Sequence, residues 1–96
     1  MHGVLVTPTF QRQSGRAKLS EDEVQFMIAE IARAPGAGDL IPESGGLRKL
    51  RFAREGSGKS GGYRTVHFFA GSNLPIFLLG LIDKRERGNL SKATLN

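Results

Sequence analysis

Three strand-forming segments follow one another closely in this chain, and they constrain its fold more than any other feature. Leu47 to Ala53 alternates, with Leu50 and Phe52 on one face and Lys49 and Arg51 on the other, as a half-buried strand does. Tyr63 to Ala70 is rich in aromatic and β-branched residues. Ile76 to Ile82 is apolar on both faces, the pattern of a central strand covered on both sides. Glycines connect the first two segments, and Gly71 to Pro75 turns the chain into the third. Sequential strands joined in this way predict an antiparallel meander.

The residues before the meander carry further elements. Val4 to Thr7 is a short β-branched strand segment stopped by Pro8, and the polar stretch Thr9 to Lys18, anchored by Phe10, reads as a short helix or loop. Ser20 and Glu23 have capping-box spacing, flanked by a Leu19 and Val24 staple, so a helix should begin at Ser20. It should run to about Ala34, where Pro35 and Gly36 stop it, with Val24, Met27, Ile28 and Ile31 on its buried face. Gly36 to Gly46 reads as a connecting loop whose Asp39 and Glu43 are solvated carboxylates. Beyond Ile82, the cluster Asp83-Lys84-Arg85-Glu86-Arg87 is delivered to the rim of the sheet. Asn89 or Ser91 would cap a final helix, which a longer native chain is expected to complete.

Charge is divided along the chain. Residues 1–46 carry a net charge of −2 and residues 47–96 a net charge of +7, within an overall +5. Between Leu47 and Arg64, the cations Arg48, Lys49, Arg51, Arg54, Lys59 and Arg64 are opposed by Glu55 alone. Clustering of this kind on a strand and loop favours a polyanion. The 96 residues make one domain, too small for an elaborate enzyme. Without cysteine there are no disulfides and no thiolate chemistry, and His2 and His67 lack neighbours at metal-ligand spacing. The longest apolar run, Leu74 to Ile82, is too short to span a bilayer, and no secretory signal opens the chain. A cytoplasmic protein that uses neither metal nor cofactor is expected.

Residues 53 to 60, Ala-Arg-Glu-Gly-Ser-Gly-Lys-Ser, fit a relaxed nucleotide-binding loop. That motif works only where a helix follows and presents its N-terminus to phosphate, and here the following residues favour a strand. His67 has the pKa range of a general base, yet strand alternation places it opposite Arg64, which favours a structural role. The remaining chemistry belongs to lysine and arginine. They suffice for cleavage of RNA by its own 2′-hydroxyl, where the substrate brings the nucleophile and the protein must align atoms and stabilise phosphorane charge. The same cations are also suited simply to holding phosphates.

The stretch Gly45-Gly46-Leu47-Arg48-Lys49-Leu50-Arg51-Phe52-Ala53, the Gly-Lys-Ser-Gly-Gly-Tyr-Arg of 58 to 64, and the tail from Asp83 to Lys92 resemble HigB-type toxins of the RelE/ParE superfamily. The resemblance covers residues 19 to 96. It implies a compact α+β domain over residues 1–96, with a mostly antiparallel twisted sheet of about four strands, N-terminal helices on one face and a basic concavity on the other. It further implies a type II toxin that cuts messenger RNA in the ribosomal A site without metal, so that mRNA and the 70S ribosome are its partners. A cognate antitoxin with a DNA-binding domain would silence it and carry it to operator DNA. By motif, Lys49 and Arg51 line the active face, Arg64 stabilises the transition-state phosphate, and Lys84 and Arg85 close the site. Arg48, Arg54, Lys59 and Arg87 would bind RNA backbone. Leu90 and Ser91 stand where some relatives carry a tyrosine, and Arg85 where HigB-type relatives often carry asparagine, so the general acid is unassigned. A ParE-like inhibitor of a protein target such as gyrase, and a simple RNA-binding module, are the alternatives.

Overall fold

A computed structural model describes residues 3–54 and 58–83, the side chains of 54 and 58–61 excepted. Two helices pack on one face of a five-stranded sheet of order β1-β5-β4-β3-β2. β1 (Val4–Val6) is an edge strand and runs parallel to β5 (Ile76–Asp83). β3 (Leu47–Arg54), β4 (Gly58–Phe68) and β5 form the expected antiparallel meander. The other edge is β2 (Asp39–Leu40), a two-residue strand inside the segment expected to be loop throughout.

Local chemistry explains the helices. In α1 (Pro8–Arg16), Thr7 accepts a hydrogen bond from the Phe10 amide and Pro8 occupies the first turn, where its missing N–H costs nothing. The polar stretch therefore resolves as helix, with Phe10 fully buried beneath it. α2 (Glu21–Arg33) begins with the full capping box: Ser20 Oγ accepts from the Glu23 amide and Glu23 Oε1 accepts from the Ser20 amide. Met27 and Ile31 enter a core shared with Phe10, Phe52, Tyr63, Ile76, Leu78 and Leu81. No helix among the described residues is long and apolar enough to cross a membrane.

β5 departs from expectation in an informative way. Its apolar character on both faces predicts cover on both sides, but the helices cover one face, and Ile82 on the other is 37% exposed. A bulge supplies the reason. The register skips between Val66–Gly80 and His67–Leu78, which leaves Leu79 as an extra residue and reverses the inward parity from Ile76 and Leu78 to Leu81 and Asp83. Gln13 of α1 stabilises the irregularity, its Oε1 accepting from the Leu81 amide at 2.7 Å. Glycine is also required at 62, where a Cβ would overlap the Phe52 carbonyl oxygen.

Candidate nucleic-acid interface

On the sheet face away from the helices, β3 and β4 bring Lys49, Arg51 and Arg64 together. Leu50, Phe52 and Tyr63 point toward the helices and pack in or against the core, so alternation turns Lys49, Arg51 and Arg64 the other way. Arg51 and Arg64 are register partners, directly opposite one another, and Ile82 is the partner of Arg64 on β5. The Ile41 amide donates to the Leu47 carbonyl, so the backbone groups of odd-numbered β3 residues face β2. The Arg51–Arg64 pair is thus of the non-hydrogen-bonded kind, with Cα atoms about 4.5 Å apart. Lys49 lies two residues along, about 7 Å away.

None of these three cations forms a salt bridge among the described residues. Like charges placed directly opposite cost roughly 0.2–1 kcal/mol, so the sheet keeps an unfavourable pair open to solvent. Arg51 is exposed, and Lys49 and Arg64 are half-buried. A face of this kind has two guanidiniums able to grip the non-bridging oxygens of one phosphate and an ammonium one residue-pair further on.

Arg48 does not join them. It shares parity with Leu50 and Phe52, lies on the helix-bearing side, and donates from Nη1 to the Gly38 carbonyl at 3.3 Å. Arg54 pairs with Gly58 at the turn end of the β3–β4 ladder. The side chains of Arg54 and Lys59, and residues Lys84, Arg85 and Arg87, lie outside the described residues, as does the helix expected after Gly88. The described part of β5 ends at Asp83, opposite Tyr63 and one rung beyond Arg64–Ile82.

Asp39 is a residue of this face that sequence reasoning placed in solvent alone. It is exposed, but as part of β2 it stands in register with Lys49. A two-residue strand in a loop of glycine, proline and serine leaves no periodicity by which to find it.

His67 is excluded from the face and fully buried. Its Nε2 lies 3.0 Å from the Pro35 carbonyl oxygen, which can only accept, so Nε2 carries the proton. Nδ1 has no hydrogen-bond partner among the described residues. Burial pushes the imidazole pKa below its ordinary value and nearby Arg48 adds to that, outweighing the opposite pull of the Pro35 carbonyl. The neutral, enclosed ring ties the segment after α2 to the sheet. It is not placed for general-base work on the open face. The nucleotide-loop motif is likewise set aside, since β4, from Gly58 to Phe68, begins within it and continues as strand where a helix is required.

Two comparisons with known proteins agree with this architecture. The structure of an arginine-to-alanine double mutant of the E. coli toxin RelE in the free state superposes with a TM-score of 0.59 at 14% sequence identity, covering 98% of this chain and 95% of that one. Identity so low speaks for the fold. The family described as "RelE toxin of RelE / RelB toxin-antitoxin system" matches residues 2–96, which extends the likeness through β1 and α1. On that match the chain belongs to the RelE toxin family of toxin–antitoxin systems.

Proposed function

We propose that this RelE-family toxin is a HigB-type, ribosome-dependent endoribonuclease that cuts messenger RNA in the A site and so stops translation in the cytoplasm. The observation that carries the reading is the Arg51–Arg64 rung with Lys49 beside it, a solvent-open cation set that the sheet holds without a salt bridge among the described residues. In the reaction, the 2′-oxygen of one nucleotide forms a bond to the adjacent phosphorus as the bond from phosphorus to the 5′-oxygen breaks. The 2′-hydroxyl loses a proton and the leaving oxygen gains one, giving a 2′,3′-cyclic phosphate and a 5′-hydroxyl. Arg64 and Arg51 stabilise the extra charge on the non-bridging oxygens as it develops, and preorganised donors of this type contribute about 10²–10³ in rate each. Lys49 holds the neighbouring phosphate. Lys84 and Arg85, which follow β5, close the site from the rim. Arg54, Lys59 and Arg87 bind RNA backbone, and Arg48 does so from the other side of β3. The ribosome aligns the message, which relieves so small a protein of that task.

The test adds purified protein to translating ribosomes carrying a defined message. New ends bearing a 2′,3′-cyclic phosphate are expected, and they disappear when the 2′-hydroxyl at the cut is replaced by hydrogen. Intact message in the presence of folded protein overturns the reading. DNA cleavage complexes on expression, with message intact, would transfer it to a gyrase inhibitor.

A further inference from the structure

The open face of the sheet is divided along its strands. Toward Arg64 it is cationic, but at the other end one rung crosses it without a polar side chain: Leu5 pairs with Phe77, Phe77 with Phe68, and Phe68 with Leu47. Alternation places these residues on the side away from the helices. Val4 and Val6 pack against the core, and Ile76, Leu78 and His67 are buried, so Leu5, Phe77 and Phe68 between them turn outward, while Leu47 shares the parity of Lys49. None of the four belongs to the core cluster or packs against it. Leu5 is 47% exposed and the other three are half-buried. A sheet with one solvated face normally turns polar residues to water, and the helices, which lie on the other face, give no reason for an apolar rung here.

Two aromatic rings form the centre of the rung. Residues directly opposite on antiparallel strands have Cβ atoms about 4.5–5.5 Å apart, yet neither Phe68 nor Phe77 is engaged by another aromatic ring among the described residues. Phe68 leans over Gly46, where a Cβ would lie 3.1 Å from its Cε1 atom. Glycine at 46, with φ of +119°, leaves the ring its seat.

Spacing links the rung to the cations. Lys49 and its partner Val66 stand one two-residue step, about 7 Å, from Leu47–Phe68 on one side and from Arg51–Arg64 on the other. Along the face there are thus two guanidiniums, then an ammonium, then two phenyl rings. A single RNA strand presents the matching parts, charged phosphates on its backbone and bases with apolar faces that stack on aromatic side chains. A second copy is a poor occupant, since it would bring its own cation row against this one.

We infer that Phe68 and Phe77 form a stacking platform for an unpaired base of the RNA strand, on the nucleotide next beyond the phosphate held by Lys49, with Leu5 and Leu47 closing the rung at its ends. The inference rests on the reading of this face as the bed of messenger RNA, and adds a base contact to what are otherwise backbone contacts. Cations grip phosphates of any sequence alike, whereas a platform favours the bases that stack best. The rung therefore gives cleavage a modest preference for a purine at that nucleotide.

Photo-crosslinking and affinity test the platform on the full chain. Free single-stranded RNA carrying 5-iodouridine is irradiated with the unaltered protein, and attachment at Phe68 or Phe77 is expected on peptide mapping. Phe68→Leu and Phe77→Leu keep apolar bulk and remove the ring. Each should weaken RNA binding by at least about fivefold, with the slope of log affinity against log salt unchanged because no phosphate contact is lost. On ribosomes, replacing message bases one at a time by abasic ribose should slow cleavage at one position near the cut, and that penalty should vanish in the double variant. Crosslinks confined to other residues overturn the proposal, as does unchanged RNA affinity in both folded variants or an abasic penalty that survives in the double variant. Loss of antitoxin binding by variants with unchanged RNA affinity would then assign the rung to protein. Should the variants not fold, crosslinking of the unaltered protein decides. Ribosomes that yield no new RNA ends, with the crosslinks in place, remove the cleavage and keep the platform. New ends with crosslinks elsewhere remove the platform alone.

Discussion

Arg51 and Arg64 face each other across one rung of the sheet, a placement that works against stability. The unfolded chain separates them, so removing one charge relieves a repulsion present only in the fold. Arg64→Gln should therefore raise stability by about 0.2–1 kcal/mol, a gain in melting temperature of about 1–8 °C for a domain of this size. If Arg64 acts as proposed, through a contact that strengthens in the transition state, cleavage should fall by about 10²–10³ while ribosome affinity changes far less. Thermal melts and single-turnover cleavage measure the two effects. A lower melting temperature would make Arg64 a structural residue, and equal losses in binding and cleavage would make it a gripping one. His67 gives a residue-scale prediction of opposite character. Its folded pKa lies below the unfolded value of about 6.5, so the unfolded chain takes up the proton more readily. The stability that comes with the neutral ring is fully present above about pH 6.5 and is lost as pH falls from there toward the folded pKa. His67→Gln retains a donor for the Pro35 carbonyl but cannot titrate. Denaturant melts from pH 7.5 down to 5 should show a shallower acid decline in the variant than in the parent, and parallel curves would remove His67 from the account.

At the scale of elements, what was legible depended on whether the cause was local. α2 was readable to within a residue at both ends because its capping box, staple and proline stop are short-range chemistry. The facing of Lys49 and Arg51 was readable from alternation, and the same alternation set Arg48 apart. β2, the parallel pairing of β1 with β5, and the Leu79 bulge were not, because each is decided by a partner remote in sequence. The bulge hid itself, since a strand that reverses inward parity looks in sequence like one buried on both sides. β4 starts five residues before the segment that strand-forming composition marks, since glycine-rich residues 58–62 carry no such signal, and the ladder there is irregular, its register shifting between Phe52–Tyr63 and Arg54–Gly58. Gly62 makes this testable. Its Cβ position is filled by the Phe52 carbonyl, so Gly62→Val must push β3 and β4 apart beside the buried Phe52–Tyr63 pair. A loss of about 1–3 kcal/mol in chemical denaturation is expected, as for overpacking elsewhere. A change below about 0.5 kcal/mol would mean that the two strands are looser at this end than the close approach of the Phe52 carbonyl to Gly62 indicates.

Over the whole molecule, the fold turns a division along the sequence into a division in space. The acidic first turn of α2, Glu21 to Glu23, lies on the helical side, and three cations from the basic half meet on the open face. Such a separation gives the molecule a direction in the field of a polyanion and speeds productive encounter with it. The salt dependence of binding then counts the contacts. Each phosphate neutralised on single-stranded RNA contributes about −0.7 to the slope of log affinity against log salt. Lys49→Ala, assigned to the phosphate beside the cut, should make the slope shallower by about that amount and weaken binding to a similar degree on any message. Arg33→Ala removes a cation that is exposed on α2 and already paired with Glu30 at 2.6 Å, so it should leave the slope unchanged. Titrating labelled single-stranded RNA with each variant at several potassium chloride concentrations separates the cases. An equal effect of the two substitutions would mean that net charge alone attracts RNA, and the open face would lose its standing as the surface on which RNA lies.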